Sequence, residues 1–182
     1  MLYIVVALKA EAQAFVDKYK LKKSHLKEFT LYKNSKYTLI ISGMGVSASR
    51  AATQTLINAY DITDEDIYIN VGICGAIKSF EIGTLLEIGS LFYHEIFYEF
   101  HTDKESITCL DDAMYDEQEY AIADMESYGF YDAVVHNPAI QRFYIFKVVS
   151  DHFEPHLVTK EKSKMLLFNK IDAINKLIEK EK

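Results

Sequence analysis

The segment Leu2-Tyr3-Ile4-Val5-Val6-Ala7-Leu8 is an unbroken apolar run rich in β-branched and aromatic residues. A strand with one solvated face would alternate polar and apolar positions, so this run predicts a strand covered on both faces, central in a sheet flanked by helices. From Ala10 to about Tyr19, Ala14, Phe15 and Tyr19 fall at helical spacing among charged residues, and a first helix follows directly. Glu11 then sits at the strand-to-helix junction.

The same grammar recurs along the chain. Phe29–Tyr32 and Tyr37–Ile41 flank Lys33-Asn34-Ser35-Lys36 and read as a hairpin whose second arm ends at Ser42-Gly43-Met44-Gly45. Ser47 is placed to cap a helix over about Ala48–Ala59. Asp66–Val71 is a strand ending in Gly72-Ile73-Cys74-Gly75-Ala76, and Thr84–Tyr93 reads as one or two strands interrupted at Gly89. Glu95–Glu105 lacks a clear period and is expected to be loop; Ile107–Leu110 and Tyr120–Ala123 are short strand candidates. Met125–Val135 has a helical pattern stopped near Pro138, and Phe143–Ser150 is the last strong strand. Thr159 opens a C-terminal helix with Leu167, Ile171, Ile174 and Ile178 on one face. Alternating strands and helices with one hairpin predict an α/β fold: a single three-layer αβα domain over residues 1–182 with a central mixed β-sheet.

Composition narrows the function. With 182 residues, 49% of them hydrophobic, the chain can build one sizeable core. Twenty Lys and Arg against 27 Asp and Glu give a net charge of −7, and the basic residues are scattered, so nucleic acid is not an expected partner. The opening apolar run is too short to span a bilayer and leads into Lys9 and Glu11, so no membrane association and a cytoplasmic location are expected. Cys74 and Cys109 lie far apart, which speaks against a disulfide framework. His94, Glu95 and His101 fall in an unpatterned aromatic stretch, and Pro155 makes a helical His152–His156 metal pair doubtful, so no metal site is assigned.

Ligands of open α/β sheets gather at strand ends. Glu11, Glu126 and Asp151 stand at three such ends, beside two glycine loops that allow close approach of a small polar molecule. Each has a plainer reading: Glu11 and Glu126 as first-turn carboxylates answering a helix dipole, Asp151 as the start of a loop.

Five segments in order, Ala7-Leu8-Lys9-Ala10-Glu11, Ser42-Gly43-Met44-Gly45, Asn70-Val71-Gly72-Ile73-Cys74-Gly75-Ala76, Asp124-Met125-Glu126 and Val149-Ser150-Asp151, resemble the purine nucleoside phosphorylase and uridine phosphorylase superfamily. The resemblance is greatest to its hydrolytic branch, the 5′-methylthioadenosine/S-adenosylhomocysteine nucleosidases. It implies hydrolysis of the N-glycosidic bond of a purine nucleoside, without organic cofactor. Glu11 would orient or deprotonate the attacking water and Asp151 would protonate N7 of the leaving base. Glu126 would accept hydrogen bonds from the sugar hydroxyls, with Met125 packing beneath the sugar and Ser150 orienting Asp151. Leu8, Met44, Ile73, Cys74 and Gly75 are further substrate-binding candidates, and Met114, in Asp111-Asp112-Ala113-Met114-Tyr115, would stack on the base. The residue types suit the reaction, because an oxocarbenium-like transition state favours nearby negative charge and the departing base needs a proton. A carboxyl group that gives up a proton must hold one at that moment, which burial or neighbouring negative charge favours.

Asn70 stands where the phosphorylases carry an arginine for phosphate, and Arg50 and Lys147 fall in a helix and a strand, so water is the expected nucleophile. The sequence also departs from the pattern. Ile73 and Cys74 replace small or hydroxylated residues, Lys9 and Ala10 replace acidic ones, and the stretch from His94 to Asp112 is short. These departures keep two alternatives open: a nucleoside-binding or regulatory homologue with little turnover, and a phosphate-dependent phosphorylase. The aromatic cluster Phe92-Tyr93, Ile96-Phe97-Tyr98 and Phe100 exceeds what one short loop can bury and predicts a homodimer.

Overall fold

In a computed structural model describing residues 1–113 and 120–180, the opening run forms β1 (Leu2–Val6), hydrogen-bonded in parallel to strands on both sides. Tyr3 and Val5 enter one hydrophobic core and Ile4 and Val6 the other, which is why every position of the run is apolar. Helix α1 (Lys9–Tyr19) follows, and Lys20, at φ 55°, turns the chain into an antiparallel ribbon of β2 (Lys22–Leu26), β3 (Phe29–Lys33) and β4 (Tyr37–Ile41). The Asn34 side chain fixes the predicted hairpin by accepting from the backbone N–H groups of Lys36 and Tyr37.

After α2 (Val46–Ala59) come β5 (Ile67–Ala76), β6 (Leu85–Tyr93), β7 (Ile96–Glu99), β8 (Glu105–Cys109) and β9 (Ile122–Asp124). Helix α3 (Ser127–Val135) and β10 (Phe143–Asp151) lead to α4 (Lys160–Phe168) and α5 (Ile171–Lys180). The sheet is mixed and forks at β5. One side of β5 pairs in parallel with β1 and, near its end, antiparallel with β9, while its other side pairs in parallel with β10. Because β10 pairs with β6, β6 with β8 and β8 with β9, these five strands close a ring from which β1, β4, β3 and β2 extend as an open sheet.

Helices α2 and α3 cover one face through Ala52, Leu56 and Phe130, and α1, α4 and α5 cover the other through Phe15, Leu167 and Ile174. The expected three layers are present. Burying Ile171, Ile174 and Ile178 of α5 contributes roughly 1.5–3 kcal/mol each. Gly129 lets α3 approach α2 so closely that a Cβ there would collide with the Val46 carbonyl oxygen.

Several expected boundaries are corrected. The stretch from Glu95 to Glu105 contains β7 rather than loop alone, because Ile96–Glu99 folds back antiparallel on the end of β6. Strand β6 is continuous through Gly89, with a register shift there against β8. Ser47 is not the cap of α2; the left-handed glycines Gly43 and Gly45 turn the chain and the helix begins at Val46. Helix α3 starts at Ser127, leaving Met125 and Glu126 before it, and the C-terminal helix is broken at Asn169–Lys170. Among the described residues no helix is long and apolar enough to cross a membrane.

Candidate active site

The C-terminal ends of β1, β5 and β10 and the residues just before α3 wall a cleft of about 840 Å³. Leu8, Glu11, Met44, Ile73, Cys74, Gly75, Met125, Glu126, Ser150 and Asp151 all line it. Met114 lies outside the described residues. Arg50 is elsewhere, on α2 in an ion pair with Asp132.

Glu11 occupies the third position of α1, where a side chain can reach back to the free N–H groups of the helix start. Its Oε2 accepts from Ala7 N (3.0 Å) and Leu8 N (2.8 Å), and its Oε1 accepts from Ile73 N of β5 (3.1 Å). The helix-cap reading is therefore true of Glu11, and the same bonds aim a buried carboxylate at the cleft. Burial pushes its pKa above the ordinary glutamate value, against the three backbone donors and the charge of Lys147. Gly72 is what makes room: a Cβ there would lie 3.1 Å from Glu11 Oε1 and 3.6 Å from Lys147 Nζ.

Lys147 sits within the apolar run of β10, 1% exposed. Its ammonium donates to Asn70 Oδ1 (2.8 Å) and lies 2.7 Å from Asp124 Oδ2. Burial alone would favour the neutral amine, but the charges of Asp124, Glu126 and Glu11 outweigh it and hold the pKa above the ordinary lysine value. Asp124 also accepts from the backbone N–H and hydroxyl of Ser127, tying the lysine to the start of α3. Glu126 accepts from Gly45 N (3.0 Å), and burial together with the Asp124 charge raises its pKa to about 7.

Asp151 ends β10. Its Oδ2 is 2.6 Å from the Ser150 hydroxyl, which is also 3.1 Å from the Cys74 carbonyl oxygen, and its Oδ1 accepts from Glu154 N (2.8 Å). The turn that delivers Glu154 passes through Phe153 at φ 59°, an uncommon conformation for a bulky residue. The Phe153 ring covers Gly75, where a Cβ would come within 3.2 Å of Cδ1. Cys74 is a buried thiol whose pKa is pushed up by desolvation, unsuited to nucleophilic work. Asp112 and Ala113 of the expected base-binding segment line the cleft, whereas Asp111 bonds His94 (2.7 Å) and the Tyr93 hydroxyl (2.9 Å).

Sequence reasoning missed the roles of Lys147, Asp124 and Phe153. A lysine inside an unbroken apolar run was the available signal, since a buried ammonium requires a buried partner. Chemically, Glu11, Asp124 and Glu126 act on one buried cation, Lys147, and Glu11 and Asp151 line the cleft fixed by donors from different strands. That arrangement can bind and polarise a polar, uncharged or cationic ligand, and it opposes a free anion at its centre.

Comparison with protein-family profiles and with curated protein sequences gives no match. Solved structures do match. A 5′-methylthioadenosine/S-adenosylhomocysteine nucleosidase from Colwellia psychrerythraea, in complex with adenine, superposes with a TM-score of 0.74 over 92% of this chain and 93% of that one, at 18% identity. The 5′-methylthioadenosine nucleosidase of Arabidopsis thaliana gives 0.74 over 96% and 95%, at 18% identity. The futalosine hydrolase of Helicobacter pylori gives 0.73 over 94% and 97%, at 16% identity. The likeness runs nearly end to end, and it establishes the fold as the one these nucleosidases share.

Proposed function

We propose that the protein hydrolyses the N-glycosidic bond of a purine nucleoside of the 5′-methylthioadenosine/S-adenosylhomocysteine type. The observation that carries this reading is the pairing, in one cleft, of a buried carboxylate held by three backbone N–H groups (Glu11) with a second held by a serine hydroxyl (Asp151). In this mechanism Glu11 takes a proton from water as the oxygen attacks the anomeric carbon. The bond from that carbon to the base breaks, and Asp151 delivers a proton to N7 of the departing purine. Glu126 accepts from the sugar hydroxyls, Met125, Met44 and Leu8 pack the sugar, and Ile73, Cys74 and Gly75 border the base. The excess of carboxylates stabilises the cationic transition state.

Water is favoured over phosphate because Lys147, the buried cation beside the carboxylates among the described residues, is already committed to Asp124 and Asn70. A phosphate site needs uncommitted positive charge or several directed donors. Ile73, apolar at the cleft wall, favours the second reading, a nucleoside-binding homologue with little turnover. The exposed Phe92, Ile96 and Phe97 at the β6–β7 turn support association as a homodimer, and the two separate buried thiols fit a cytoplasmic setting.

The test is free-base release from a panel of purine nucleosides, with and without phosphate. Release independent of phosphate, reduced by about 10²–10⁴-fold in Asp151→Asn and Glu11→Gln, supports hydrolysis with these roles. Binding without release across the panel moves the assignment to the binding homologue, and release that requires phosphate moves it to a phosphorylase.

A further inference from the structure

The β6–β7 hairpin turns through two residues, His94 and Glu95, because Tyr93 pairs directly with Ile96. Both are left-handed, at φ 47° and 65°, in positions that asparagine and glycine fill with little strain. A strained backbone persists where its surroundings fix it, and here the surroundings are specific. The turn lays the His94 ring on the Tyr93 ring at 3.9 Å between centroids, and Tyr93 stacks in turn on Tyr128 of α3 at 4.0 Å. His94 Nε2 and the Tyr93 hydroxyl then meet the two oxygens of one carboxylate, Asp111. Their hydrogen bonds hold its carboxyl below the ordinary aspartate value, so it stays an acceptor. Desolvation and the bond to Asp111 push the Tyr93 hydroxyl up to about 12, so it stays a donor.

Asp111 belongs to the segment that leaves β8 for the cleft. Leu110 N donates to the Asp124 carbonyl oxygen (2.8 Å), and Asp112 and Ala113 line the cleft directly after the carboxylate that the turn holds. None of Tyr93, His94 and Asp111 is itself a cleft-lining residue. The His94 and Asp111 side chains are 65% and 57% exposed, and an ion pair so placed adds little to stability, so its effect falls on geometry.

We propose that Tyr93, His94 and Asp111 form a latch that positions Asp112 and Ala113 against the base, and that the three are positioning residues for base affinity rather than for the chemical step. The proposal rests on the hydrolase reading for the ligand at that wall. Glu11 and Asp151 take their hydrogen bonds from Ala7, Leu8, Ile73, Ser150 and Glu154, none of them in the turn, so opening the latch leaves the proton-transferring groups in place.

The test combines calorimetric binding of adenine and of 5′-methylthioadenosine, steady-state base release, and amide hydrogen exchange. The wild type is compared with Tyr93→Phe, which keeps the stack and removes only the hydroxyl, with His94→Gln, Asp111→Ala and Tyr93→Phe/Asp111→Ala. Affinity for both ligands is expected to fall about threefold in Tyr93→Phe and in His94→Gln and about tenfold in Asp111→Ala. The double variant is no weaker than Asp111→Ala, because both changes act through one carboxylate. KM rises with the dissociation constant while kcat stays within about twofold. Exchange quickens at the Leu110 and Asp112 amides and is unchanged in β10. Unaltered adenine affinity in Asp111→Ala, even with faster exchange, overturns the latch, as does a fall in kcat at constant KM. Hydrolysis fails separately: affinity losses as expected, with no base released by the wild type, support the latch and refute the hydrolase reading.

Discussion

Replacing Lys147 by methionine keeps the length of the side chain and removes its charge from the centre of the site. The ammonium and its partner Asp124 are each about 1% exposed in their side chains and 2.7 Å apart, and the lysine also neutralises Glu11 and Glu126. Removing one partner of a buried ion pair costs about 3–5 kcal/mol, because the other charge stays buried without compensation. In a domain of this length 1 kcal/mol moves Tm by about 2–4 °C, so Lys147→Met is expected to lower Tm by roughly 6–20 °C at pH 8. The pH dependence has a definite sign. Glu126 titrates near 7 in the folded protein, above the ordinary 4.5, and losing Lys147 raises it further. A carboxyl raised on folding opposes the folded state above its folded pKa, and that penalty is relieved as the pH falls towards the unfolded value. The deficit of Lys147→Met is therefore smaller at pH 5 than at pH 8, and Lys147→Met/Asp124→Asn recovers part of it. Thermal denaturation followed by circular dichroism at both pH values reads all of this. A Tm change below about 2 °C at pH 8, or a larger deficit at pH 5, would refute the reasoning.

Three further outcomes are expected. If Glu126 binds sugar hydroxyls as the anion, kcat/KM falls about tenfold per unit as the pH drops below about 7, and Glu126→Gln raises KM and flattens that limb of the profile. Ser150→Ala removes the 2.6 Å contact on Asp151 and lowers kcat by about tenfold to a hundredfold with little change in KM, measured in steady-state assays of base release. Gly129→Ala forces α3 away from the Val46 carbonyl and destabilises the fold by about 1–3 kcal/mol in urea titrations, leaving the slope against denaturant unchanged.

What the sequence disclosed follows from how its signals arise. Strands β1, β5 and β10 were legible because they are buried on both faces and so read as unbroken apolar runs. Strand β2, Lys-Lys-Ser-His-Leu, pairs on one side only and lies mostly in solvent, so no apolar period marks it. Strand β7 is likewise an edge, with Ile96 and Phe97 exposed. The break between α4 and α5 escaped detection because Leu167, Ile171 and Ile174 keep helical spacing across it. At the site, Glu11, Glu126 and Asp151 were visible as carboxylates at strand and helix ends, where a fold must satisfy loose backbone groups. The Lys147–Asp124 pair was hidden because its partners are 23 residues apart in sequence and meet only through the pairing of β10 with β5 and of β5 with β9. Phe153 carried no signal, since a left-handed phenylalanine has no sequence mark of its own.

The closed ring has a kinetic consequence. It joins β5, β6, β8, β9 and β10, so it spans residues from Ile67 to Asp151, and it shuts through only two residue pairs between β5 and β9. Contacts that distant in sequence form late, because chain closure must precede them. The ribbon of β2, β3 and β4, built from neighbours in sequence, is expected to gain hydrogen-exchange protection first, and the amides around Ala76 and Ala123 last. Gly75, at that closure point, faces both the ring and the cleft. A ligand bound there holds the latch of the ring, and its binding is expected to slow exchange at β9.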